Sequence, residues 1–87
     1  MEKNGMIIRF GHKGFGFILN FETEKEHFFN VKDCIGRKDF IVGDRVRFQL
    51  GERRIFLDRK TRAAVYRAPA INVRLVAERS APVRENQ

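Results

Sequence analysis

The chain has 87 residues, which favours a single domain and leaves little room for an enclosed catalytic cleft beside the core. Its formal net charge is +7, and twelve arginines outnumber six lysines, so the composition favours a polyanionic partner, nucleic acid before an anionic membrane surface. No apolar run approaches the roughly 18 residues that a membrane span needs.

The cysteine content and the first residues bear on the cellular compartment. Cys34 is the only cysteine, so no disulfide can form within the chain and a reducing environment fits best. We expect its thiol to act as a small apolar packing group. Residues 1–5 lack the apolar stretch of a signal peptide. We therefore expect a cytoplasmic protein.

The first half of the chain predicts a three-stranded meander. Each predicted strand is rich in aromatic and β-branched residues, and short turns containing glycine or charged residues join them. The predicted strands cover residues 5–10, 15–21 and 27–31. In the first strand, regular alternation places Phe10 on the same face as Met6 and Ile8, and Arg9 on the same face as Ile7.

The motif Lys13-Gly14-Phe15-Gly16-Phe17-Ile18 covers the end of the first turn and the start of the second strand, and in it two phenylalanines alternate with two glycines behind a lysine. Residues i and i+2 of a strand share a face, so Phe15 and Phe17 lie side by side. Glycine inside a strand often marks the close approach of a ligand or another backbone. Two rings beside a lysine suit the bases and phosphates of a nucleic acid. The alternative is a core strand whose phenylalanines face inward.

The second half of the chain supplies two more predicted strands. Residues 32–39 lack a period of two and predict a single helical or 3₁₀ turn, with Cys34 and Ile35 under the sheet. Strict alternation over 45–50 predicts the fourth strand. Residues 68–76 predict the last strand, which has a proline near its start where a missing N–H is tolerated. Five short strands on a small core predict an all-β protein, a five-stranded antiparallel barrel that is closed or nearly closed, because closure removes exposed strand edges.

A basic insertion, residues 52–67, separates the fourth strand from the last. It predicts either the tip of a protruding hairpin or a disordered loop, and in both cases it offers an arm that contacts phosphates. The candidate residues of this arm are Arg53, Arg54, Arg59, Lys60 and Arg62. Residues 77–87 are polar and aperiodic, and we expect a disordered tail there. The folded domain is then 1–76.

The sequence gives no constellation typical of an enzyme or a metal site. A structural zinc site normally has four ligands at tight spacings, whereas His12, His27 and Cys34 are scattered. The single serine, Ser80, falls in the expected tail, so no hydrolytic triad can be argued from it. We therefore expect no catalysis, no cofactor, no metal and no small-molecule substrate.

Taken together, these segments resemble a cold-shock domain, a small OB-fold barrel. Residues 13–18 match the family motif Lys-Gly-Phe-Gly-Phe-Ile at every position, and 27–31 resemble its second motif, Val-Phe-Val-His-Phe. Similar residues also occur at Gly5, in the 43–48 segment and in the 70–73 segment. The resemblance covers roughly residues 4–76. It implies binding of single-stranded RNA or DNA with little dependence on sequence.

The resemblance also implies which residues would contact the nucleic acid. Phe15, Phe17 and Phe28 correspond to the family's stacking aromatics, and Lys13 corresponds to a basic contact. Phe29 alternates to the other face and is expected in the core. Further candidate contacts occupy positions in or near the two motifs: Arg9, Phe10, His12, Asn30 and Arg37.

The chain departs from the family pattern in a consistent direction. Arg9-Phe10 replaces the usual Trp-Phe pair, Asn30 replaces the usual histidine, Val31 replaces a phenylalanine, and Arg37 stands roughly where a further aromatic does. Base stacking is worth roughly 1–3 kcal/mol per base, and arginine can offset part of that loss by stacking and by pairing with phosphate. We expect a shift from stacking towards electrostatic binding.

Three functions follow as expectations. The first is binding of single-stranded nucleic acid, RNA before DNA, by an RNA chaperone or a regulator of transcription or translation. The alternative from another class is a protein-interaction or self-associating OB module with weak nucleic-acid binding, for instance a homodimer, because one fold serves many functions. A third interpretation is duplex or architectural binding through the basic insertion.

Overall fold

The computed structural model describes residues 1–57 and 60–77, and in this part seven β-strands and one 3₁₀ turn follow each other. Buried and exposed positions alternate along the strands, as expected for a sheet with one face on a core. The elements are β1 Lys3–Phe10, β2 Phe15–Asn20, β3 Glu26–Asn30, the 3₁₀ turn Val31–Asp33, β4 Arg45–Leu50, β5 Arg54–Leu57, β6 Ala64–Arg67 and β7 Ala70–Ala77.

Five of the strands form one antiparallel sheet in the order β3-β2-β1-β4-β7. β1 is the central strand. Its first half pairs with β4, from Lys3 opposite Phe48 to Met6 opposite Arg45, and most of its length pairs with β2. The predicted meander of β1, β2 and β3 is confirmed, as is β4. This curled five-stranded sheet is compatible with an OB-like fold.

The expected barrel, closed or nearly closed, is not formed, because the sheet is an open half-barrel. In the described part of the chain, the two edge strands β3 and β7 are not paired with each other. The segment after the 3₁₀ turn lies against β7 instead: Cys34 forms a parallel bridge with Val73, and the Ile35 N–H donates to the Val73 carbonyl at 2.7 Å. This segment therefore pairs with the edge of β7 at Val73.

The core lies inside the curl of the sheet. It contains Ile7, Ile18, Phe29, Cys34, Phe40, Val46, Phe48, Ala70 and Val73. Burial of the Cys34 thiol raises its pKa from 9.0 to about 11, so the thiol is neutral at ordinary pH, as expected for a packing residue. Ile35 was expected under the sheet beside it, but 47% of its surface is exposed.

A β-bulge changes the expected alternation in β1. The pairing with β2 shifts register between Ile7 and Arg9, so that Ile8 is the extra residue. Ile7 is consequently buried, while Arg9 is exposed and Phe10 packs against the core. The prediction that Ile7 and Arg9 share a face is therefore wrong, because it assumed a regular strand.

The basic insertion contains a second, two-stranded sheet formed by β5 and β6. Pairing runs from Arg54 opposite Arg67 to Leu57 opposite Ala64, which confirms a hairpin in this segment. The prediction of a disordered tail at 77–87 falls outside the described residues except for Ala77, which ends β7. In the described ranges, no helix is long and apolar enough to cross a lipid bilayer.

Candidate functional site

Three phenylalanines lie next to each other on the outer face of β2 and β3. Phe17 and Phe28 are direct cross-strand partners, with ring centroids 5.9 Å apart and planes at 75°. Phe15 is adjacent, and its ring centroid lies 5.7 Å from that of Phe28. We call Phe15, Phe17 and Phe28 the aromatic surface. Phe15 is 38% exposed and the other two are half-buried, so parts of all three rings face solvent.

The alternation of β2 and β3 explains why these rings point outward. Ile18 on β2 and Phe29 on β3 are fully buried, and adjacent residues of a strand point to opposite faces. The inward-facing Phe29 fills the core while its neighbour Phe28 faces out. The alternative of a core strand with inward-facing Phe15 and Phe17 is therefore not what the chain adopts.

Arg9 extends the aromatic surface onto β1. It is the cross-strand partner of Phe17, and its guanidinium carbon lies 5.8 Å from the centroid of the Phe17 ring. This distance is within the range of a cation–π contact. The bulge at Ile8 places Arg9 on this outer face. Arg9, Phe17 and Phe28 thus form one row across three strands, a cation followed by two rings.

The two glycines of the motif have structural roles. Gly16 faces inward, where an added Cβ would collide with the Arg9 carbonyl and lie 3.0 Å from the Phe29 ring. Gly14 has a φ of +87°, which favours glycine. The sequence analysis expected either a ligand or another backbone to lie close to these glycines. The structure shows another backbone, that of Arg9, close to Gly16. Lys13 and His12 lie in the turn before β2 and are exposed.

Three other residues predicted to contact nucleic acid lie outside the aromatic surface. Phe10 faces the core, stacked on Phe29 at 5.9 Å and 14° and edge-on to Phe40, so it is separated from the aromatic surface by the sheet. Asn30 is opposite Phe15 and half-buried, and its side chain accepts a hydrogen bond from the Lys32 N–H at 3.0 Å. Arg37 is half-buried in the loop after the 3₁₀ turn.

The predicted basic arm is partly described. Arg53, Lys60 and Arg62 are exposed, whereas Arg59 and the side chain of Arg54 lie outside the described residues. The exposed three belong to the β5–β6 hairpin and its flanks. They are thus carried by a different sheet from the one that carries the aromatic surface.

An open cleft of about 950 Å³ lies near the root of the hairpin and contains charges of both signs. His27 lines it, with Nδ1 2.9 Å from the Ala68 carbonyl and Nε2 3.4 Å from the Asn20 amide nitrogen. Both ring nitrogens therefore have protein partners, and the histidine links β3 to the chain between β6 and β7. In the described ranges, no group of three His, Cys, Asp or Glu residues is arranged to hold a metal ion.

Sequence reasoning missed a second arginine–aromatic pair. The guanidinium carbon of Arg45 lies 5.2 Å from the centroid of the Phe21 ring. Alternation in β4 shows that Arg45 faces outward, but nothing in the sequence pattern brings it to Phe21, which follows β2. The contact depends on β1 lying between β2 and β4.

Comparison with known proteins does not assign a family. No protein-family model matches the chain, and no curated protein matches it. The resemblance to cold-shock domains therefore rests on the residues themselves, chiefly 13–18 and 27–31.

Proposed function

We propose that the protein binds single-stranded RNA or DNA in the manner of a cold-shock domain. Bases stack on Phe15, Phe17 and Phe28, while Arg9 and Lys13 contact phosphates. The observation that carries the proposal is the outward-facing row of Arg9, Phe17 and Phe28 on the five-stranded sheet.

The packing of the three rings supports this proposal. They contact each other on the outside of the sheet, while separate residues fill the core. Isolated exposed apolar residues are ordinary, whereas a group of exposed aromatics is typical of an interaction surface. Base–aromatic stacking is tolerant of sequence because every base has a π-face. A surface made of three rings without base-specific hydrogen-bonding groups between them suits such a ligand.

The charge of the molecule supports a polyanionic ligand rather than an apolar one. Arg9 lies over the Phe17 ring with its guanidinium exposed to solvent, where it can stack on a base or pair with a phosphate. The net charge of +7 favours rapid association with a polyanion. Each phosphate contact on a single strand contributes about −0.7 to the slope of log K against log salt.

The biological role that we propose follows from mass action. A protein that binds only the open form of a nucleic acid shifts the folding equilibrium of that nucleic acid towards the open form. This suits a cytoplasmic RNA chaperone or a regulator of transcription or translation, and it requires neither a cofactor nor catalysis.

The test is fluorescence anisotropy with labelled oligouridine and oligothymidine at several salt concentrations. The Phe15→Ala/Phe17→Ala variant should lose most of its affinity for both. Ile55→Ala/Leu57→Ala is the matched control, because these apolar residues are 62% and 65% exposed on the separate hairpin. Full affinity in the Phe15→Ala/Phe17→Ala variant would refute the proposed site, and loss in the control alone would move it to the hairpin.

A second candidate function, a self-associating module, is favoured by the open sheet. β3 is an edge strand in the described part of the chain, and an unpaired edge can pair with another chain. A homodimer formed through β3 would place the strand of a second copy directly beside Phe28. Sedimentation velocity distinguishes the two functions: a concentration-dependent dimer that nucleic acid does not dissociate would favour self-association.

A further inference from the structure

Three arginines lie on the outer face of β4 and β7, on the half of the sheet away from the aromatic surface. Val46 on β4 and Val73 on β7 are buried, and their neighbours in each strand point outward. The exposed arginines on this face are Arg45, Arg47 and Arg74. We call these three residues, together with Phe21, the arginine surface.

Two of these arginines are direct cross-strand partners. Arg47 on β4 pairs with Arg74 on β7, and like charges directly opposite each other in a sheet are destabilising. In the described part of the chain, the ion pair at this face is a long one, 3.9 Å from Arg74 Nε to a carboxylate oxygen of Glu2. Arg47 has no carboxylate partner among these residues. An anion between the two guanidiniums would relieve the repulsion.

The third arginine repeats the combination found in the aromatic surface. Arg45 lies over Phe21 at 5.2 Å, as Arg9 lies over Phe17 at 5.8 Å. Phe21 is 43% exposed, and its N–H is held by the Asn4 carbonyl at 3.0 Å. One ring with a cation over it, beside Arg47 without a carboxylate partner among the described residues and Arg74 with a long one, suits a chain of phosphates that carries bases.

We propose that the arginine surface is a second contact surface for single-stranded nucleic acid, which binds mainly through phosphates. It involves none of the residues of the aromatic surface, so it stands or falls separately from stacking at Phe15 and Phe17. The aromatic surface lies on β2 and β3 and the three arginines lie on β4 and β7, with β1 between these two pairs of strands, while Phe21 follows the end of β2. One molecule can therefore hold two segments of nucleic acid.

The test compares Arg47→Gln/Arg74→Gln with Lys25→Gln/Lys38→Gln, two variants of equal net charge. Lys25 and Lys38 are exposed and belong to neither surface. Loss of two phosphate contacts should reduce the salt slope for oligouridine by about 1.4 and the affinity at 0.1 M salt by about 25-fold. The lysine variant should keep nearly the wild-type slope. Phe15→Ala/Phe17→Ala should lose affinity and keep the slope.

Folding of the arginine variant is checked by its melting temperature, which should stay close to that of the wild type, because relief of the like-charge pair offsets loss of the long, exposed Arg74–Glu2 ion pair. A wild-type slope in the arginine variant, or an equal reduction in the lysine variant, overturns the proposal. Loss of binding only to a duplex, or only to vesicles containing phosphatidylserine, also overturns it and assigns the surface to that ligand. Failure of Phe15→Ala/Phe17→Ala to weaken binding refutes the aromatic surface alone.

Discussion

Phe17 and Phe28 face each other across β2 and β3, and their rings meet edge to face on the outer side of the sheet. Phe28 also contacts Phe15, so it is the middle ring of the aromatic surface. Under the proposed function, Phe28→Ala should weaken oligouridine binding by ~5- to 150-fold, because stacking is worth roughly 1–3 kcal/mol per base. Phe28→Tyr keeps the π-face and should bind within a few-fold of the wild type. Equal losses in both variants would contradict stacking.

Gly16 gives a prediction about stability. An added methyl would meet the Arg9 carbonyl and the Phe29 ring, and overpacking of this kind costs typically ~1–3 kcal/mol. Gly16→Ala should lower the free energy of unfolding by about that amount in a urea titration. Gly11→Ala is the control, because an added Cβ there has no atom within 4 Å. If Gly16→Ala left the free energy of unfolding unchanged, the close approach of Gly16 to the Arg9 carbonyl would not be what fixes the bulge in β1.

The Cys34 thiol predicts a loss of stability at alkaline pH. Burial raises its pKa from 9.0 to about 11, so above pH 9 the unfolded chain releases this proton more readily than the folded one. The free energy of unfolding should therefore fall as pH rises from 9 to about 11. Cys34→Ala lacks this contribution, so the difference between wild type and variant isolates it from other titrating groups. If the difference in free energy of unfolding between wild type and Cys34→Ala stayed constant from pH 9 to about 11, Cys34 would not be a buried, neutral thiol.

The same thiol should react slowly with Ellman's reagent. The thiolate is the reactive form, and a buried thiol with a pKa of about 11 is almost fully protonated at pH 8. Labelling should be slow in native protein and fast in urea. Fast labelling of the native protein would show that Cys34 becomes accessible through local opening.

Local pattern predicted much of this fold, and pairing between distant segments decided the rest. Alternation located β4 residue by residue and placed Phe15 beside Phe17, because a regular strand has a fixed period of two. The bulge at Ile8 could not be predicted, since it depends on the close approach of the Gly16 and Arg9 backbones. Because of this bulge, Ile7 and Arg9 lie on opposite faces of the sheet.

The opening of the barrel and the arginine surface could not be predicted from the sequence for a related reason. Whether β3 meets β7 depends on where the segment after the 3₁₀ turn packs, and Cys34 takes a place beside Val73. The pairing of Arg47 with Arg74 likewise depends on the register between β4 and β7, which contains two irregularities. Neither arrangement leaves a local signature in the chain.

Asp44 gives the last prediction, because it organises the turn that holds β1 before the bulge. Its carboxylate accepts from the Ile41 N–H at 2.9 Å, and its carbonyl accepts from the Ile7 N–H at 2.9 Å, while the side chain is fully buried. Asp44→Ala removes the acceptor of this part-buried hydrogen bond, and a hydrogen bond to a carboxylate is worth ~1.5–3 kcal/mol. Asp39→Ala, at an exposed position, should change the free energy of unfolding by less than ~0.5 kcal/mol. Urea titrations that give equal stabilities for the two variants would contradict this role of the Asp44 side chain.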